Sequence, residues 1–306
     1  MARVAADSVT KVTCIGTGTI GAGWAAYFLA QGMEVVATDP APDAEEKVRA
    51  LVAAAWPTLR QLGMADGASQ DKLGFETDLA AALEGTEFVQ ESAPDREDLK
   101  IELFSQIDAL VPEHIVIASS SSQFIPTRIA SACQHPQRCV IGHPFAPSYL
   151  LPLVEVVGGE QTDADVLQWA MSFYDAIGKH ALLLRNEIEG YISNRLQQVV
   201  SKEIHELVEK GVCSYEEADR ALVYGPGFRW AFAGPLLCSH LAGGRGGIAA
   251  SIAHWGWGGP ADQQQVAVDE VAALAGHLDM DTLEAWRDDN LLALMKGLKP
   301  LPRGDS

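Results

Sequence analysis

The chain has 306 residues, enough for two domains, and 48% hydrophobic with 21% charged residues is the composition of a globular protein. A formal net charge of −19 excludes nucleic acid and anionic membrane surfaces as natural partners, because both need a basic face. No stretch approaches the roughly 18 uninterrupted apolar residues of a membrane span. Met1–Thr10 lacks the apolar core of a signal peptide, and the five cysteines form no CxxC pair, so reduced thiols and a cytoplasmic location are expected.

Along the first two-thirds, short apolar runs alternate with longer amphipathic stretches. The runs Val12–Ile15, Glu34–Thr38, Phe88–Glu91, Ile115–Ala118, Cys139–Gly142 and Leu153–Val157 predict strands. Helices are predicted over Ile20–Gln31, Asp43–Leu62, Leu99–Leu110 and Asp163–Ile177. Such alternation marks a parallel sheet covered on both faces. Beyond about Asn186 helical periodicity dominates, over Glu189–Lys210, Tyr215–Val223, Asp262–His277 and Thr282–Leu298, with Gly and Pro punctuating 225–260. The expected fold class is α/β, with a Rossmann-type, doubly wound, mostly parallel sheet in residues 1–187. An all-helical domain is expected over 188–306.

Residues 11–21 read KVTCIGTGTIG. Gly16 permits the tight turn, Gly18 lets the backbone approach a pyrophosphate, and Gly21 lets helix and strand pack closely. The pyrophosphate would rest on amides near Thr19 and Ile20 at the positive helix end. Asp39 ends the second strand, eighteen residues after Gly21, and a carboxylate there binds the ribose hydroxyls and repels a 2′-phosphate. Pro40, Ala41 and Pro42 follow with no arginine to receive such a phosphate. The expected cofactor is NAD.

Ligands of an open parallel sheet sit beyond the carboxyl ends of its strands. Asp95 and Lys100 follow one such end; they are either contacts to a cofactor or solvated surface charges. The run Ser119–Ser122 follows another. It can cap the helix near Ile125, or Ser122 can donate to a substrate oxygen. In VIGHPFAP, His143 has the side chain suited to remove a hydroxyl proton near neutral pH. Glu155, flanked by valines, needs a partner if buried, and a carboxylate on the second imidazole nitrogen would fix the tautomer. Spacing alone leaves a dyad and two separate structural residues equally open. Asn194 lies early in a long helix, where propensity disfavours it; it either binds a substrate oxygen or makes an interdomain hydrogen bond.

The segments GTGTIGAGWAAYFLAQG, VQESAPDREDLK, ASSSSQF, GHPFAPSYLLPLVEVV, NEIEGYISNRLQ and GPGFRWAFAGP together resemble the 3-hydroxyacyl-CoA dehydrogenase superfamily. Within it the closer likeness is to the lambda-crystallin branch, which includes L-gulonate 3-dehydrogenase and L-carnitine dehydrogenase. The resemblance implies that His143 is the base, that Glu155 orients it, and that Ser122 and Asn194 bind the reacting oxygen. It also implies an NAD enzyme without a metal that dimerises through the helical domain. Two positions depart from the family pattern. Ala146 stands where an Asn that contacts the nicotinamide end is usual, and Asp95 where Glu is usual.

In GPGFRWAFAGP, Arg229 can fork onto a carboxylate while Trp230 and Phe232 wall a small pocket or meet a quaternary ammonium. They can equally be helix-packing residues and a dimer contact. Phe145, beside His143, completes the candidate substrate set. A small L-3-hydroxy acid such as carnitine, gulonate or 3-hydroxybutyrate is the expected substrate. A 3-hydroxyacyl-CoA thioester is the rival, disfavoured because PFAPSYLLPLVEV lacks the basic residue usual in the CoA-using branch. A catalytic Lys of the 6-phosphogluconate and 3-hydroxyisobutyrate type is absent from EGYISNRLQQ. A non-catalytic, crystallin-like NAD binder is the remaining reading, since function belongs to the site and not the scaffold.

Overall fold

The computed structural model describes residues 2–256 and 258–299, so the end of the expected helical domain, 300–306, lies outside the described residues. The chain divides into two compact units between Gln197 and Gln198. In the first unit, β1 (Lys11–Ile15), α1 (Thr19–Ala30), β2 (Glu34–Thr38), α2 (Ala44–Leu62) and β3 (Leu73–Phe75) form the first winding. Then come α3 (Leu79–Ala82), β4 (Phe88–Glu91), α4 (Glu97–Leu110), β5 (Val116–Ser119), α5 (Pro126–Ile129) and β6 (Cys139–Pro144). The unit closes with β7 (Leu153–Gly158), α6 (Ala164–Ala176), β8 (His180–Leu183) and the start of α7 (Ser193–Glu209).

The strand order is β3-β2-β1-β4-β5-β6-β7-β8. The order reverses between β1 and β4, which creates the crevice where doubly wound sheets bind ligands. All neighbours are parallel except β6 and β7, which run antiparallel with His143 opposite Glu155.

Alternating side chains feed two cores. Phe88, Val116 and Val140 join Trp24, Phe28 and Phe173 on one face; Val89, Ile117 and Ile141 join Phe104 and Ile107 on the other. Burial of both faces is why these strands read as continuous apolar runs. The strands β3 and β8 escaped the sequence pattern. The first has three residues, and in the second only Ala181 is buried.

The second unit contains the rest of α7, then α8 (Tyr215–Tyr224), α9 (Pro226–Trp230), α10 (Pro235–Ala242), α11 (Gly247–Trp255), α12 (Ala261–Leu274) and α13 (Met280–Gly297). The Gly- and Pro-punctuated stretch therefore holds three short helices. Pro stands in the first turn of α9 and α10, where its missing N–H is harmless, and Gly256 in the left-handed conformation ends α11. No helix among the described residues is long and apolar enough to cross a membrane.

Candidate active site

The turn after β1 is shaped for close approach of an anion. Gly16 has φ +88°, and a Cβ there would lie 2.6 Å from Ser92 O. A Cβ on Gly21 would lie 1.9 Å from Gly16 O, so α1 can sit on the strand only with hydrogen at this position. A Cβ on Gly18 would meet nothing within 4 Å, which leaves the backbone open to a ligand. Gly18 is also the N-cap of α1 and brings no capping side chain. The amides of Thr19 and Ile20, in the first helical turn, have no intrahelical acceptor and present positive ends.

Asp39 stands just beyond β2. Its Oδ2 accepts from Thr17 N at 2.8 Å and Thr17 Oγ1 at 3.1 Å, and its Oδ1 from Ala41 N at 2.9 Å. The carboxylate is thus fixed in position beside the glycine turn. A cavity of about 590 Å³ opens here, lined by Gly16, Asp39, Pro40, Ala41, Ala93 and Leu103 among others. An apolar-walled cleft, a fixed carboxylate and an uncapped helix end fit an adenine dinucleotide.

The antiparallel β6–β7 pair places His143 and Glu155 directly opposite, so both side chains leave the same face of the sheet. His143 Nδ1 and Glu155 Oε2 are 2.9 Å apart, and both residues are buried. Glu155 Oε1 accepts two more hydrogen bonds, from Ile192 N at 3.0 Å and Ser193 N at 2.9 Å. Burial alone would raise the Glu155 pKa, but the hydrogen bonds from His143 and Ser193 outweigh it and hold the carboxyl below its usual range. His143 lies within β6, which extends past the expected end because its pairing with β7 continues to Pro144. Phe145 stands edge-on to the imidazole, centroids 6.2 Å apart.

A second network fixes the serine loop. Asp95 accepts from Ser122 Oγ at 2.7 Å, Ser122 N at 3.0 Å and Ser121 Oγ at 2.8 Å. Burial opposes ionisation of Asp95, yet these bonds and the Lys100 charge together lower its pKa. Asn194 Nδ2 donates to Ser122 O at 3.1 Å. Ser122 and Asn194 therefore meet, both within the first compact unit. Lys100 is no solvated charge. Its side chain is 1% exposed, and Nζ donates to Glu91 Oε1 at 2.8 Å, Glu91 Oε2 at 3.1 Å and Ala93 O at 3.1 Å. With those donors engaged, Lys100 stands 3.6 Å from Asp95 and acts on the site through it.

The family model for the NAD-binding domain of 3-hydroxyacyl-CoA dehydrogenase matches residues 11–188, and the model for the C-terminal domain of the same enzymes matches residues 190–288. The chain belongs to the 3-hydroxyacyl-CoA dehydrogenase family. It is an NAD-dependent dehydrogenase, and the glycine turn, Asp39 and the cleft beside them suit that cofactor. Among relatives, an L-carnitine dehydrogenase of Nocardiopsis dassonvillei is 43% identical over 100% of this chain and 96% of its own. One of Streptomyces coelicolor is 49% identical over 82% of this chain and 79% of its own. A solved 5-formyl-3-hydroxy-2-methylpyridine 4-carboxylic acid 5-dehydrogenase shares the fold, with TM-score 0.74, 24% identity, and coverage of 94% of this chain and 97% of that one.

Of the other residues singled out in this family member, Arg229 and Phe232 line one cavity of about 320 Å³ in the second unit, with Tyr224, Phe228 and Arg287. Trp230 is not among its lining residues. Sequence reading passed over Glu91, Ser121, Thr17 and Tyr191, each bonded to or packed against a singled-out residue. Glu91 carried a usable signal: a charge ending a core strand nine residues before Lys100. Among the described residues no cluster of His, Cys, Asp and Glu is arranged to hold a metal.

Proposed function

We propose that this protein oxidises the secondary hydroxyl of a small L-3-hydroxy acid to the 3-keto acid, with carnitine the first candidate. The observation that carries the reading is the buried, cross-strand His143–Glu155 pair. Glu155 accepts from Nδ1–H, which leaves Nε2 as the imidazole's basic nitrogen. His143 takes the hydroxyl proton at Nε2, and Glu155 stabilises the imidazolium that results. Ser122 and Asn194, held against each other, hydrogen-bond the reacting oxygen. NAD, when bound, would supply the hydride acceptor for the carbon that bears this oxygen; Gly16, Gly18, Thr19, Ile20, Gly21 and Asp39 would hold it, with Asp95, Ser122 and, through Asp95, Lys100.

The L-carnitine dehydrogenase relatives support the substrate class, since they align along nearly the whole chain. Arg229, in a cavity walled by Phe228 and Phe232, supports a carboxylate with an apolar or quaternary end. Phe145 and Trp230 stay in the substrate set. This reading assigns cofactor binding to residues 1–187, and substrate contact and homodimerisation to 188–306. Exposed Tyr224, Trp255 and Met295 in the helical unit favour a protein partner surface. The five free thiols suit a reducing cytoplasm.

The test is NADH formation over a panel of L-carnitine, L-gulonate, L-3-hydroxybutyrate and a 3-hydroxyacyl-CoA, with His143→Gln as control. A free acid turned over by the wild type and slowed about 10²–10⁴-fold in H143Q supports the assignment. Activity confined to the thioester, or an H143Q rate near that of wild type, overturns it.

A further inference from the structure

Two consecutive residues enter α7 in the left-handed conformation, Gly190 at φ +76° and Tyr191 at φ +51°. Glycine adopts this backbone freely, whereas a bulky aromatic residue there is an outlier. Such strain persists only where the surroundings over-determine it, and it clusters at functional sites. The surroundings of Tyr191 do so. It is fully buried, in the core that also holds Val89, Ile141 and Val157. Its ring lies against the His143 imidazole, centroids 5.1 Å apart and planes inclined by 49°. Its hydroxyl donates to Phe124 O at 2.7 Å.

Phe124 belongs to the serine loop, and its amide donates to Ser121 Oγ at 3.2 Å. The same Ser121 hydroxyl donates to Asp95, which also holds Ser122. Immediately after Tyr191, the amides of Ile192 and Ser193 bind Glu155, and Asn194 binds Ser122 O. Tyr191 touches both halves of the site, the imidazole with its ring and the serine loop with its hydroxyl.

We infer that Tyr191 is a positioning residue that fixes the His143 ring and the Ser122 loop relative to each other. The inference rests on the reading of His143 as base and Ser122 as oxygen ligand. The left-handed backbone aims the ring at the imidazole; a residue in the helical region would send it elsewhere. Burial raises the phenol pKa, so the hydroxyl stays protonated and remains a donor to Phe124 O throughout the working range. The ring and the hydroxyl are separable by substitution.

Tyr191→Phe keeps the ring and deletes the strut to Phe124. It is expected to lower kcat about fivefold, the worth of one ordinary hydrogen bond, with the Kd for NAD unchanged. Tyr191→Leu keeps apolar bulk and deletes the aromatic wall. It is expected to lower kcat on the order of a hundredfold. The ¹⁵N signals of the His143 imidazole, assigned by their loss in H143Q, should broaden into an averaged pattern in Y191L. A merely structural role would lower the melting temperature of both variants and leave kcat and the imidazole signals of the folded protein as in wild type; that result overturns the inference. Should Y191L fail to fold, the kcat of Y191F against its unchanged NAD affinity decides. Should the wild type turn over no hydroxy acid, the proposed substrate class fails, and the His143 signals in Y191L still decide the role of Tyr191.

Discussion

Glu155→Gln tests the site at the atom where its parts join. The wild-type carboxylate is buried and receives three donors: His143 Nδ1 and the amides of Ile192 and Ser193. A glutamine oxygen can still accept the two amides, but the NH₂ group then faces Nδ1 and must donate to it. The imidazole is forced to carry its proton on Nε2, and the base is lost without a change of shape. An inverted tautomer and an unstabilised imidazolium together should reduce kcat by about 10²–10⁴, with NAD affinity held. Replacing a charged by a neutral acceptor at the start of α7 should also cost about 1–2 kcal/mol at neutral pH. The Glu155 pKa lies below the ordinary 4.5 in the folded protein. Its contribution is therefore fully present above pH 4.5 and drains away as pH falls through the lowered value. E155Q should lack that part of the acid sensitivity. Steady-state NADH formation, NAD titration and urea unfolding between pH 3 and 7 measure all three. A folded E155Q that turns over within a few-fold of wild type would refute the tautomer argument.

Gly21→Ala puts a methyl carbon 1.9 Å from Gly16 O and must push α1 off the turn. Calorimetric titration should show NAD affinity lower by at least about tenfold, and wild-type affinity would mean that helix placement does not matter to the cofactor. Lys179 is buried against the Tyr27 ring, and its ammonium donates to Ser148 O and Leu151 O. Burial pushes its pKa from 10.5 down to about 8, so the unfolded chain binds more protons between those values and stability rises with pH across that window. Relative to Lys179→Met, the wild type should gain up to about 3 kcal/mol from pH 8 to pH 10.5, read as the difference between urea midpoints; parallel pH profiles would show that Lys179 stays charged.

The sheet was legible because its strands are buried on both faces, and six of them stand out as apolar runs. The glycine turn and Asp39 were legible because each position answers to a backbone demand that few residues meet. By contrast β8 shows no alternation, as only Ala181 of its four residues is buried. His143 and Glu155 were recognisable as types, but their pairing depends on β7 running antiparallel. Nothing in the eight residues between β6 and β7 announces that direction. Lys100 was unreadable for a different reason. A lysine signals exposure, and only its buried partner Glu91 reverses the expectation. Tyr191 could not be found by composition at all, since what sets it apart is a backbone angle.

The antiparallel pair also explains where α7 begins. The first turn of α7 has no acidic side chain of its own, although its free amides and positive end call for one. Glu155 supplies that anion from across the sheet by accepting the amides of Ile192 and Ser193. The same carboxylate holds the imidazole with its other oxygen. A buried charge is costly unless fully bonded, and here it is bonded without any basic side chain of Lys or Arg. His143 is therefore left as the side-chain partner of the carboxylate, with no fixed cation competing for it. A lysine or arginine bonded to Glu155 would neutralise it permanently and weaken its pull on an imidazolium. A cap made of neutral amides keeps the negative charge available for the moment the proton arrives.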